Sequence, residues 1–208
     1  MHLIMQHLEK SAKVLAKNQE KYRSLDIGRF QIRDSIEHIP SSLEALVNDL
    51  RKDASFTFPL LNQFDPIKNL KPKKKLTALE MLKKKGVYPY EYFKNFKSLQ
   101  SAKKFPPQAA FYSNLNEAHI SEEEYQNGKK VFGFFKCRNM EEYMRLYNAL
   151  DVILLAEVFT KYREMVIHHF ELDPIYYLGN KRKIGRWGKK KCNICFFFFQ
   201  AFPVCHLT

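Results

Sequence analysis

Residues 141–170, EEYMRLYNALDVILLAEVFTKYREMVIHHF, run for thirty positions without a glycine or a proline. Met144, Tyr147, Leu150, Ile153, Leu154, Val158, Phe159 and Tyr162 recur at helical spacing. The Leu, Ala, Glu, Met and Arg content favours the same state, and the β-branched pair Val152-Ile153 is too short to reverse it. One long helix is predicted, ending near Glu171-Leu-Asp-Pro174, where the proline ring forbids continuation.

Tyr147 and Asp151 lie four residues apart in this stretch, so a phenol and a carboxylate share one helical face. Asp151 interrupts an apolar run, Ala149-Leu150-Asp151-Val152-Ile153-Leu154-Leu155. A charge buried there is costly unless it meets a partner or a cation. An aspartate on a solvated stripe has the same spacing. His168-His169 diverge by about 100° on a helix, and complement the dipole at its C-terminal end rather than forming a ligand pair.

The net charge of +13 is unevenly spread. Between Pro66 and Pro107, 12 lysines face only Glu80 and Glu91, a local balance of +10. Lys181–Lys191 adds +7 with no acid, leaving −4 for the rest. Segregated positive charge is the footprint of a polyanion partner, because Lys and Arg replace condensed counterions on phosphates. A solvated charged loop is the competing reading.

At 208 residues the chain is one large domain or one and a half, long enough to bury a core. Frequent aromatics and only 7 glycines argue against disorder over most of it. Met1 is followed by HLIMQHLEK, which lacks the basic segment and long apolar core of a signal peptide. No apolar run reaches a membrane span. Three of the four cysteines fall in the last 17 residues, which is not a disulfide framework. An intracellular chain, nuclear or cytoplasmic and not secreted, is expected, with no membrane partner.

Three short strands are predicted, Ala12–Ala16, Tyr22–Ile27 and 29–35, forming an antiparallel meander with turns at 17–20 and at Asp26-Ile27-Gly28. An amphipathic helix over His2–Lys10 precedes them and starts without a cap. Ser41-Ser-Leu-Glu44 has the spacing of a capping box opening a helix over Leu43–Leu50. Residues 53–75, with Pro59, Pro66 and Pro72, are expected to be a long loop, followed by a helix over Thr77–Lys85 closed by Gly86. Ser121-Glu-Glu-Glu124 opens a further helix running to about Cys137. Asp26, Asp34 and Asp173 are assigned to turns and strand ends.

Several segments together resemble the protein-primed branch of family-B DNA polymerases, found in viruses, linear plasmids and self-synthesising DNA transposons. They are His2-Leu-Ile-Met-Gln, Arg33-Asp-Ser-Ile with Ser42-Leu-Glu-Ala-Leu, and Lys85-Gly-Val-Tyr-Pro-Tyr-Glu-Tyr. Phe105-Pro-Pro with Phe111-Tyr-Ser-Asn-Leu, Tyr147-Asn-Ala-Leu-Asp-Val-Ile-Leu-Leu-Ala and Phe170-Glu-Leu-Asp-Pro follow in the family's order. The resemblance covers residues 1–179 and implies the later part of a 3′–5′ exonuclease domain. That domain is a truncated RNase H-like α/β (or α+β) fold with an antiparallel meander and long helices. Residues 180–208 fall outside it as a divergent basic, Cys/Phe-rich tail.

By this resemblance Tyr147 and Asp151 match the third exonuclease motif, with Lys85 in the Lys-x-x-hydrophobic motif Lys85-Gly-Val-Tyr88. The implied activity is that of a DNA-directed DNA polymerase (a nucleotidyltransferase) with proofreading hydrolysis. Its implied cofactor is Mg²⁺ (or Mn²⁺), and its partners are DNA (a single-stranded 3′ end or a primer-template) and a terminal-protein primer. Asp151 supplies a metal oxygen, since hard cations take carboxylates. Tyr147 orients the attacking water as a protonated phenol, and Lys85 balances phosphate charge.

The family's first-motif Asp-x-Glu pair, its second-motif Asn-x-x-x-Asp and its palm motifs are not among these residues. One carboxylate cannot hold two metals. The expectation is therefore a fragment inactive by itself.

The alternative is a non-catalytic, basic, single-strand-binding remnant using Lys83, Lys84, Lys85, Tyr88, Tyr90, Lys103 and Lys104, where lysines grip phosphates and rings stack on bases. A third reading is a small zinc-binding protein. Cys192-x-x-Cys195 with Cys205-His206 offers four soft ligands, although the Phe-rich insert is unlike a zinc ribbon.

Overall fold

The structure, a computed structural model, describes residues 12–16, 22–28, 30–114 and 117–176. It is a mixed helical fold with a small three-stranded antiparallel sheet, an α+β arrangement. The described residues divide into two compact units, one comprising those up to Ser41 with those from Phe159 on, the other Ser42–Val158.

In the first unit the strands β1 (Ala12–Ala16), β2 (Tyr22–Ile27) and β3 (Phe30–Arg33) pair in the order β1-β2-β3. Leu25 faces Val14 on one side and Ile32 on the other, so alternation places Leu25 and Ile32 in the core. Gly28 turns the second hairpin with φ +59°, a conformation that disfavours a side chain. The Arg33 guanidinium pairs with Asp26 at 2.7 Å across β2 and β3. Asp34 caps the 3-10 turn Ser35–Glu37 by accepting from the Ile36 amide. His38 is buried, its ring edge-on to Phe159 at 5.9 Å.

The second unit is helical: α1 (Leu43–Lys52), α2 (Pro59–Asn62), α3 (Asp65–Lys68), α4 (Pro72–Leu82), α5 (Phe96–Ser101) and α6 (Glu122–Phe134). The long helix α7 spans Met140–Phe170, and the unit boundary falls within it. It ends at Glu171, which adopts φ +53° while its amide returns to the Ile167 carbonyl at 2.9 Å. A left-handed residue, not Pro174, terminates it. Asp173 instead holds Arg163 at 2.9 Å and caps the Ile175 amide.

Several boundaries differ from expectation. The cap of α1 is Ser42, whose hydroxyl accepts from Ala45, so Ser41 and Glu44 do not form the box. Residues 53–75 are not one loop: the three prolines open helices at their first or second position, where a missing N–H costs nothing. Consequently α4 begins five residues earlier than Thr77 and ends at Leu82. Gly86 has no positive φ and does not cap it. The expected box at Ser121 forms: Glu124 N–H donates to the Ser121 hydroxyl at 3.2 Å, and Ser121 N–H donates to the Glu124 carboxylate at 2.8 Å. That helix stops at Phe134. The helix expected over His2–Lys10 and the turn at 17–20 lie outside the described residues.

Candidate functional site

After α4 the chain passes without regular secondary structure through Lys85-Gly-Val-Tyr-Pro and turns at Tyr90, packed against α7. Two contacts hold it there. The Tyr143 hydroxyl donates to the Val87 carbonyl at 2.9 Å, and both residues are buried. Gly86 lies so close to Tyr147 that a Cβ on it would stand 2.8 Å from the ring's Cδ2. Glycine is required there for close approach, not for a turn.

Aromatic rings and hydroxyls then converge on Asp151. Tyr88 stacks on Tyr147 with centroids 5.6 Å apart and planes at 29°, and Tyr90 meets the same ring edge-on at 6.0 Å. The Tyr90 hydroxyl donates to the Tyr147 hydroxyl at 2.6 Å. Tyr147 in turn donates to the Asp151 carboxylate. Tyr143, Tyr147 and Asp151 follow at four-residue steps, so one face of α7 carries the array.

The electrostatics follow from burial. Tyr147 is 4 % and Asp151 3 % exposed. Burial pushes the Asp151 carboxyl up to about 6, against the hydrogen bond from Tyr147 and the charge of Lys85, which both favour ionisation. Tyr147 is raised far above the ordinary phenol, by burial first and then by Asp151. Tyr90 rises to about 12, mainly through burial, and Tyr143 moves the same way. The phenols therefore stay protonated at neutral pH. Asp151 Oδ1 is buried without a hydrogen-bond partner, and a buried acceptor left unmatched costs about 1–3 kcal/mol.

Tyr147 and Asp151 thus come together through their hydrogen bond, and the charge of Lys85, remote in sequence and exposed, acts on Asp151. The other candidates are placed differently. Lys83 carries its ammonium 5.2 Å above the Phe58 ring, and Lys84 pairs with Glu123 at 2.6 Å. Tyr88 and Tyr90 are half-buried against Tyr147, while Lys103 and Lys104 are exposed. His168 and His169 are exposed in the last turn of α7. Cys192, Cys195, Cys205 and His206 lie outside the described residues.

Among the described residues no three His, Cys, Asp or Glu side chains are grouped to hold a metal. Asp151 offers one unmatched oxygen, with a lysine charge acting on it. That donor set does not fit a two-cation centre, which needs several carboxylates.

Two residues were not singled out from sequence. Tyr143 was legible as the next four-residue step before Tyr147. Glu157, fully buried, accepts from the Leu61 amide at 2.8 Å and so pins the start of α2, although Phe58 ahead of it has φ +51°. Burial raises its carboxyl while the Leu61 and Leu60 amides oppose the shift, and Oε2 has no partner.

No protein-family model, curated protein or solved structure matches the chain. No helix among the described residues is long and apolar enough to cross a membrane.

Proposed function

We propose that this chain is part of the RNase H-like 3′–5′ exonuclease domain of a protein-primed family-B DNA polymerase, and that it engages the single-stranded 3′ end of DNA. One observation carries the reading. Lys85, Tyr147 and Asp151, the residues matching two motifs of that family, are coupled by a hydrogen bond and by charge, with a buried carboxylate oxygen lacking any partner. A core built only for stability has little use for an aspartate there, because an apolar residue of similar size would avoid the desolvation cost.

In this reading Tyr147 positions a water by accepting a hydrogen bond from it, its own proton being donated in the hydrogen bond to Asp151 and its hydroxyl held by the Tyr90 hydrogen bond. Lys85 offsets phosphate charge, and Asp151 contributes one of the several carboxylates that a two-cation centre needs. The chain by itself is then without nuclease or polymerase activity.

The test is the transcript that contains this reading frame. If it encodes Asp-x-Glu and Asn-x-x-x-Asp segments upstream, the full product should degrade a 3′-labelled single strand with Mg²⁺ or Mn²⁺. Asp151→Ala and Tyr147→Phe should then slow it by orders of magnitude. Degradation unaffected by Asp151→Ala refutes the assignment.

A second reading, a non-catalytic single-strand-binding protein, draws on the exposed lysines of the basic stretch, Lys85, Lys103 and Lys104 among them. Salt-dependent binding without metal-dependent degradation by the full transcript product separates it from the first.

A further inference from the structure

We propose that the segment from Tyr92 to Lys104 is the surface that grips single-stranded nucleic acid, with Tyr92 and Phe96 as base-stacking rings and Lys94, Lys97, Lys103 and Lys104 as phosphate contacts. The inference rests on the single-strand reading above and relocates its contact residues.

Tyr88 and Tyr90 are the tyrosines first expected to stack on bases, but their rings are engaged with each other and with Tyr147. The next two aromatic side chains that face solvent are Tyr92, 53 % exposed, and Phe96, 44 % exposed. They are exposed on a fixed support. Phe93 and Leu99 are buried and anchor the backbone on either side of Lys94–Ser98. Tyr92 rests edge-on against Phe93 at 5.0 Å. Asn95 caps α5 by accepting from the Ser98 amide at 2.9 Å, and the Ala102 carbonyl accepts from the Met140 amide at 3.0 Å. A pre-ordered ring loses little freedom when a base stacks on it.

The charge is one-sided. From Tyr92 to Asn116 there are four lysines and no acidic residue. All four lysines are exposed and none makes an ion pair among the described residues. Two acids adjoin the segment and both are occupied: Glu91 accepts from the Asn114 amide at 2.8 Å, and Glu141, which accepts from Gln100, is paired with Arg145 at 2.7 Å. Exposed rings among unpaired lysines suit a partner that brings flat π-faces and regular negative charge together. An acidic peptide supplies the charge without the rings, and a duplex keeps its bases stacked on one another.

The experiment is fluorescence anisotropy of the full chain with labelled oligo(dT) and with a duplex of equal length, over a range of salt. Tyr92→Leu and Phe96→Leu should each weaken oligo(dT) binding about tenfold, as loss of one stacked base does. Tyr92→Phe should restore it, which excludes misfolding as the cause. Replacing the four lysines by Gln should lower the steepness of the log-affinity against log-salt plot by about 2–3, at roughly 0.7 per single-strand contact. The same change at Lys129 and Lys130 on α6 should leave it nearly unaltered. If oligo(dT) binds but neither ring matters, this surface is refuted while the single-strand reading stands. Equal losses for duplex and single strand, or equal binding of polyglutamate, also refute it. If the chain binds no oligonucleotide, the inference and the binding reading fall together.

Discussion

Asp151→Asn should stabilise this protein at neutral pH, although it removes the central group of the candidate site. The carboxyl is raised from 3.8 to about 6 because the ionised form has given up water for a site 3 % exposed. At 1.36 kcal/mol per pH unit, that displacement makes the ionised form about 2–3 kcal/mol less favourable in the folded state than in the unfolded chain. The cost is fully present above about pH 6, and it fades as pH falls through the window down to 3.8, where both states are protonated. Asparagine imitates the protonated acid: it still accepts from Tyr147 and carries no charge. The variant should gain about 2 kcal/mol or more at pH 7.5, with a melting point higher by about 4–8 °C for a chain of this size. Near pH 4 the gain should vanish. Urea titrations of both proteins at pH 4, 5, 6 and 7.5, in buffer with a chelator, isolate the effect, since other titrating groups cancel in the difference. A variant less stable than the parent at pH 7.5, or a difference that does not change with pH, would refute the burial argument.

Other expectations follow from close contacts and caps. In α6 the same substitution should have opposite signs. Gly133→Ala meets nothing within 4 Å and should gain about 0.5–1 kcal/mol of helix propensity, whereas Gly128→Ala places its Cβ 2.7 Å from Val87 and should cost about 1–3 kcal/mol by urea midpoint. Gly86→Ala should cost a similar amount, roughly 1–3 kcal/mol by the same midpoint, because the Tyr147 ring, stacked on Tyr88, has no room to retreat from the new Cβ. Glu157→Ala strands the Leu61 amide and should cost about 1–3 kcal/mol, while Glu157→Gln, which keeps an acceptor, should be close to neutral. Because burial raises the Glu157 carboxyl, the parent should gain on the Gln variant as pH falls, as paired melting curves would show. Ser121→Ala should lose about 1 kcal/mol through the capping box, measured the same way.

What the sequence by itself determined is local. The 3.6-residue recurrence of apolar positions marked α7 to within one residue of its start, because a helix is built from contacts three and four residues apart. Turn residues at 26–28 and alternation around Phe30 and Ile32 marked the strands, and Ser121 with Glu124 marked a cap whose partners lie within one turn. The common face of Tyr147 and Asp151 was legible for the same reason. Local signals also misled where two mechanisms share one residue: Pro59, Pro66 and Pro72 break helices or begin them, and only the chain that follows decides which.

Tertiary structure decided the rest. Gly86 has the position of a cap but is needed where Tyr147 presses on the backbone. Tyr90 looks like a stacking ring but donates to Tyr147, and Glu157 caps a helix start 96 residues away. Spacing alone did not separate Lys85 from the other lysines of the basic stretch, and only the fold brings its charge within range of Asp151. A side chain's spacing is a property of the chain near it, but its partner depends on which distant surface the core brings within hydrogen-bond range, and burial then sets the energy of that contact.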